Sequence, residues 1–267
     1  MTDTGTLVRI EADGEGHVVE IVLDRPEALN AVSTAMATAL AAATARVAAD
    51  PNVRCVVLRS SQERAFCVGA DLKERNAFTD ADLVRQRPVA RGAYRGVLDL
   101  PVPAIAAVEG YALGGGYELA LSCDIIVAGE TATVGLPEVS VGVIPGGGGT
   151  QLLTRRVGWS RAASLVFTAR RLPAPEALAL GCVDEVVPAG TARDRALELA
   201  RQIAANSPVG LRQAKRAMRL GLDVDLATGL VVEEAAWRTT AFSPDRAEGV
   251  RAFVERRPPD WPGDAAP

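Results

Sequence analysis

Apolar residues fall into short clustered runs through the first two-thirds of the chain and change to helical spacing in the last third. Leu7–Ile10 and Val18–Leu23 read as β-strands joined across the turn-forming segment Asp13-Gly14-Glu15-Gly16. Asn30–Asp50 is alanine-rich with Ser33 placed as an N-cap, which predicts a helix. Val53–Leu58 is a β-branched strand, and Asp82–Leu100 is an amphipathic helix stopped by Pro101 and Pro103. Ala104–Val108 and Asp124–Ala128 read as buried strands with a glycine turn and a short helix between them. This alternation runs to about residue 188 and predicts an α/β core with mixed short sheets. Helical stretches then follow at Thr191–Ala205, Pro208–Gly221, Asp225–Phe242 and Pro244–Arg256. The expected division is a core over 1–190 and a helical region over 191–267. The segment Arg257–Pro262 is too proline-rich for a helix and is expected to lie along a surface.

Composition narrows the classes of function. With 48% hydrophobic residues among 267, the chain can close a large core. A net charge of −4 gives no overall basic character of the kind that nucleic acid or an anionic membrane attracts. Cys55, Cys67, Cys123 and Cys182 form no CxxC pair and His17 is the sole histidine, so no zinc cluster can be assembled. Thiols scattered through apolar strings, with no signal-peptide core and no run of membrane-spanning length, predict a cytoplasmic protein.

Three segments carry candidate chemistry. In Ala65-Phe66-Cys67-Val68-Gly69-Ala70-Asp71-Leu72-Lys73-Glu74, the small pair Gly69-Ala70 sits at a strand-to-helix turn. Unpaired amide N–H groups there can cradle an anion or a developing oxyanion. The same pattern also fits an ordinary turn with Asp71 as the helix cap. In Glu109-Gly110-Tyr111-Ala112-Leu113-Gly114-Gly115-Gly116-Tyr117-Glu118, a glycine triplet opens a helix and Glu118 follows about one turn later. A close-packed turn with a solvated glutamate is the alternative. No nucleotide-binding glycine fingerprint is present. In the third segment, Gly135 to Gln151, Glu138 stands in apolar surroundings where ionisation is costly, the setting that raises a carboxyl pKa toward neutrality. It could equally end a strand and face water. The run Gly146–Gly149 reads as a flexible loop that lets the next helix, from Thr150, pack closely.

Taken together and in this order, the segments resemble the crotonase superfamily of enoyl-CoA hydratases and isomerases. AFCVGADLKE is similar to its first oxyanion motif, EGYALGGGYELALSCDI to its second, and GLPEVSVGVIPGGGGTQLL to the segment bearing its second acid/base residue. RPEALNAV, VRCVVLRS, NSPVGLRQAK and EGVRAFVERRPPDW extend the likeness over nearly the whole chain. The resemblance implies an α/β fold, a spiral of ββα units with a C-terminal helical region that builds trimers, commonly paired into hexamers. It implies an oxyanion hole from the N–H groups of Ala70 and Gly115, and Glu118 and Glu138 as the catalytic pair. Ala70, Asp71, Leu72 and Lys73 would line the CoA arm together with Gly115, Ala28 and Leu29, while Trp237 and Arg256 match positions that bind CoA across a subunit boundary. The substrate would be an acyl-CoA thioester, with CoA part of the substrate and neither metal nor separate cofactor required. Tyr117 is bulkier than the family's usual residue and would either narrow the acyl pocket or pack behind it.

Both carboxylates being present favours hydration of a trans-2-enoyl-CoA, Glu118 deprotonating water and Glu138 protonating the α-carbon. The alternatives are a Δ3,Δ2-enoyl-CoA isomerase, which needs only one of the pair, a 3-methylglutaconyl-CoA hydratase, which GADLKER and PGGGGTQ resemble, and a non-catalytic scaffold. Some members of that methylglutaconyl branch bind RNA through a lysine-rich helix. The matching stretch Ser33–Asp50 has Arg46 as its single basic residue, so no nucleic-acid partner is expected. Asn76–Leu100, expected to wall the acyl pocket, shows no decisive charge pattern.

Overall fold

Strands β1 (Val8–Ala12) and β2 (Val18–Leu23) form the expected antiparallel hairpin, and β2 continues parallel to β3 (Cys55–Ser60). The computed structural model describes residues 7–263. Helix α1 (Thr34–Ala48) starts where the Ser33 hydroxyl accepts the Met36 N–H, as its capping chemistry predicts. From β3 onward one move recurs: a strand in a large sheet, a strand in a small second sheet, then helix. β3 leads to β4 (Ala65–Cys67), α2 (Leu72–Asn76) and α3 (Asp80–Leu98). β5 (Ala104–Val108) leads to β6 (Tyr111–Leu113) and α4 (Gly115–Ser122). β7 (Ile125–Gly129) leads to β8 (Thr133–Gly135), a 3-10 turn over Glu138–Val141, α5 (Gly149–Val157) and α6 (Trp159–Phe167). β9 (Arg171–Pro173), α7 (Ala174–Ala179) and β10 (Glu185–Val187) complete sheets of order β1-β2-β3-β5-β7-β10 and β4-β6-β8-β9. This is the spiral of ββα units expected for the fold. α3 begins earlier than its apolar pattern indicates because Thr79 and Asp82 close a capping box ahead of it.

The central strands read as unbroken apolar runs because both sheet faces are covered. Val56, Leu58, Ala106 and Ile126 face the main core, whereas Val57, Ile105 and Val127 face α8 (Ala192–Ala204). That helix lays Ala192, Ala196, Ala200 and Ala204 against the sheet, a four-residue repeat whose small side chains permit close approach. The helical region expected from residue 191 therefore opens with an element the large sheet needs.

Helices α9 (Pro208–Gly221), α10 (Leu226–Ala241) and α11 (Pro244–Glu255) form a further cluster. α9 is clamped to the core by Lys215, a buried ammonium that donates to the Val102 carbonyl and to Asp124, each at 2.7 Å. The cluster leaves Met218, Leu226, Phe242 and Phe253 at least three-quarters exposed. The proline-rich tail lies along it as expected, with the Trp261 indole N–H donating to the Ala205 carbonyl at 2.8 Å. Among the described residues no helix is long and apolar enough to cross a membrane.

Candidate active site

Two loops meet at the mouth of the small sheet. Gly69 has φ +94°, and a Cβ there would stand 2.9 Å from the Leu113 carbonyl oxygen and 3.1 Å from the Gly115 nitrogen, so only glycine allows the approach. Beside it the Val32 N–H donates to Gly69 O at 2.7 Å, and the Asp71 N–H donates to Val32 O at 3.1 Å. In a parallel bridge these flanking groups are consumed, which leaves the N–H of Ala70 itself pointing the other way. The Gly115 N–H belongs to the first turn of α4, where helical donors have no partner of their own. Among the described residues neither N–H finds a backbone acceptor, and both residues line one cavity of about 1230 Å³.

Glu118 and Glu138 line the same cavity. Glu118 is buried on α4, and its Oε1 accepts the N–H groups of Gly147 and Gly149, each at 2.7 Å. A Cβ on Gly147 would lie 2.9 Å from Glu118 Oε2, and one on Gly149 would lie 3.0 Å from Oε1. The glycine run is thus a cradle for a carboxylate rather than merely a flexible loop. Burial pushes the Glu118 carboxyl up, and the Gly149 and Gly147 N–H groups pull it part of the way back. Glu138 heads the 3-10 turn, and its buried Oε2 has no hydrogen-bond partner among the described residues. Burial, reinforced by the Glu118 charge and opposed by its own backbone N–H, pushes the Glu138 carboxyl up to about 7.

The other expected site residues divide. Asp71 caps α2, accepting the Lys73 and Glu74 N–H groups at 3.0 and 3.1 Å, and pairs with Arg25 at 2.7 Å, which holds its carboxyl below the usual range. Leu72 stands on the cavity rim, whereas Lys73 is exposed and outside the lining. Ala28 and Leu29 also lie outside it, with the Leu29 carbonyl accepting the Val68 N–H at 3.2 Å. Trp237 lines a second cavity, of about 920 Å³, among α9, α10 and α11. Arg256 ends α11 in a left-handed conformation and is exposed. Tyr117, on α4, is buried outside the cavity lining, its hydroxyl donating to the Cys182 carbonyl at 2.8 Å, and does not narrow the pocket.

Sequence reasoning passed over several cavity residues. Tyr94 is buried with its ring against Gly147 and its hydroxyl beside Gly115. Arg87 donates to the Gly146 carbonyl at 2.6 Å. Arg87, Arg91 and Arg95 all line the cavity from α3, which corrects the expectation that this segment has no decisive charge pattern. Their spacing of four residues was the available signal. Among the described residues no cluster of three or more His, Cys, Asp or Glu is placed to hold a metal ion.

This arrangement combines two free N–H donors with two carboxyl groups in different environments, which suits proton transfer beside a polarised carbonyl. Comparison with known proteins agrees. Residues 13–264 match the family described as enoyl-CoA hydratase/isomerase. The chain is 42% identical to the mitochondrial methylglutaconyl-CoA hydratase of Mus musculus over 96% of this chain and 82% of the relative. It is 40% identical to the enoyl-CoA isomerase/hydratase fer4 of Mycosarcoma maydis over 96% and 98% of the two chains. The crystal structure of an enoyl-CoA hydratase from Bacillus anthracis superposes with a TM-score of 0.94 at 40% identity, over 97% of this chain and all of that one. A spiral of ββα units, two free N–H donors on one cavity and these relatives converge, and the chain belongs to the enoyl-CoA hydratase/isomerase family of the crotonase superfamily.

Proposed function

We propose that the protein adds water across the double bond of a trans-2-enoyl-CoA thioester. The observation that supports this best is the pair Glu118 and Glu138 in one cavity, one carboxylate cradled by N–H groups and the other pushed up to about 7. The Ala70 and Gly115 N–H groups donate to the thioester oxygen and draw electron density from the β-carbon; loss of one such donor typically costs ~10²–10³ in rate. Glu118 takes a proton from water as the water oxygen bonds to the β-carbon. The alkene electron pair moves onto the thioester oxygen as an enolate. On its return the α-carbon takes the Glu138 proton, and exchange between the two carboxyl groups and solvent restores the starting state.

The CoA arm runs past Leu72 and Lys73 along the edge that Ala28 and Leu29 continue. Trp237 and Arg256, outside this cavity within one chain, meet CoA across a subunit boundary. The exposed apolar side chains of α9, α10 and α11 support a homotrimer or a homohexamer. Four buried, free cysteines support a reducing, cytoplasmic setting. The test is loss of enone-thioester absorbance with crotonyl-, long-chain trans-2-enoyl- and 3-methylglutaconyl-CoA compared side by side. Hydration of at least one is expected, and a folded protein that hydrates none overturns the reading.

A further inference from the structure

The arginines of the catalytic cavity have no assigned task. Arg75, Arg87, Arg91, Arg95 and Arg171 line it against Asp99, Glu118 and Glu138, although the chain as a whole carries a net charge of −4. Arg95 pairs with Asp99 at 2.8 Å, and among the described residues the other four arginines have no carboxylate partner. Arg87 and Arg91 lie four residues apart on α3, so they share one face about one turn apart.

Their place along the substrate follows from the groups already located. The Ala70 and Gly115 N–H groups mark the thioester carbonyl, and Glu118 marks the β-carbon. Arg87 is tied to Gly146, next to the Gly147 and Gly149 N–H groups that hold Glu118. It therefore stands on the β-carbon side of the carbonyl, where the acyl chain continues away from sulfur. A hydrocarbon tail gains nothing from cations on that wall and would strip water from them at a cost. A carboxylate fits, because the planar guanidinium group can present two parallel N–H donors to it.

We propose that Arg87 and Arg91 form an anion-binding wall at the acyl end of the cavity and select enoyl groups that end in a carboxylate. The inference rests on the hydratase reading and narrows its substrate class. The phosphates of CoA are the other anionic source on such a ligand, and the experiment separates the two.

The experiment is isothermal titration of two saturated, unreactive thioesters, glutaryl and butyryl, each on CoA and on phosphate-free pantetheine. Wild type is expected to bind the glutaryl member of each pair about tenfold more tightly, as charged hydrogen bonds from two exposed guanidinium groups together permit. Arg91→Gln and Arg87→Gln should each remove most of that ratio on both carriers, and Arg91→Lys should keep part of it. Arg85→Gln, on the same helix but paired with Asp82 and outside the cavity lining, should leave the ratio intact. A wild-type ratio near one overturns the proposal, as does a ratio that survives both glutamine variants. Equal weakening of both acyl groups on CoA, with none on pantetheine, assigns the arginines to phosphate and also overturns it. The ligands undergo no reaction, so a preserved ratio beside failed turnover in the hydration assay would indict the hydratase reading alone.

Discussion

Glu118 is held from α4 with one oxygen accepting two N–H groups at 2.7 Å, whereas Glu138, at the head of a 3-10 turn, keeps a buried oxygen with no partner among the described residues. Both carboxyl groups are pushed up by burial. The difference lies in what opposes burial: N–H donors favour the ionised form of Glu118, while the Glu118 charge itself favours the protonated form of Glu138. Two identical side chains facing one cavity thereby stand in different environments, which supports the proposed division into a base and an acid. The Gly149 and Gly147 N–H groups contribute most to the distinction, and the nearby Arg87 charge adds to it.

The largest effects should come from deleting either member. Glu118→Gln removes the proposed base and Glu138→Gln the proposed α-carbon acid, and each should lower hydration by ~10²–10⁴ in kcat/KM. In wild type the alkaline limb of the pH profile should fall through about 7 as Glu138 loses its proton. The measurement is kcat/KM for both variants on trans-2-enoyl- and 3-enoyl-CoA across pH, with folding checked by circular dichroism. Isomerisation needs proton removal at one carbon and return at another, so Glu138 alone could serve it. An active Glu118→Gln variant, together with a wild type that isomerises without hydrating, would replace the acid–base pair with a single shuttling carboxylate.

A smaller effect tests the cradle. In Gly149→Ala the new Cβ would stand 3.0 Å from Glu118 Oε1, 2.9 Å from Leu136 Cδ1 and 3.0 Å from Pro145 Cβ. The loop must shift and its N–H bond to Glu118 must lengthen. Loss of one charge-assisted hydrogen bond predicts roughly a tenfold drop in hydration. The acid limb of the pH profile should move upward, because Glu118 loses a group that favours its ionised form. A lower rate with an unmoved acid limb would mean that the glycine serves packing only.

Legibility in the sequence followed element length. β2, β5 and α9 fall on the expected residues because runs of five or more show their periodicity. β4, β6, β8 and β9 are three residues each, too short to display a period of two, so the small sheet that brings the Ala70 and Gly115 loops together was invisible to pattern alone. Glu118 and Glu138 were singled out by their ordered motifs, and the structure brings both to one cavity. The Glu118 cradle was not legible, since any residue carries a backbone N–H and only the loop path brings Gly147 and Gly149 to one oxygen. Arg91 was countable on its helix, but which face of α3 turns to the cavity is decided by tertiary packing of that helix. At Asp71 the two readings of the turn are compatible, because the side chain caps α2 while the preceding N–H stays free.

The smallest expected effect concerns stability, and it isolates Glu138 from turnover. Its folded-state pKa, about 7, lies above the ordinary carboxyl value, so unfolding makes the proton easier to lose. The stability tied to the protonated form is present at acid pH and is lost as pH rises through about 7. Glu138→Gln stays neutral throughout, so its melting temperature relative to wild type should climb between about pH 5 and about pH 8.5. Any fixed cost of fitting the amide is common to both conditions and cancels in that difference. Partial exposure of the side chain screens the charge and limits the gain to about 1 kcal/mol, or roughly 2–4 °C for a chain of this size. Glu118→Gln should show a smaller climb, because the Gly147 and Gly149 N–H groups already stabilise the charge that the amide removes. Scanning calorimetry of the three proteins at both pH values decides the matter. A climb for Glu118→Gln as large as that for Glu138→Gln would mean that the glycine cradle does not set the two carboxyl groups apart.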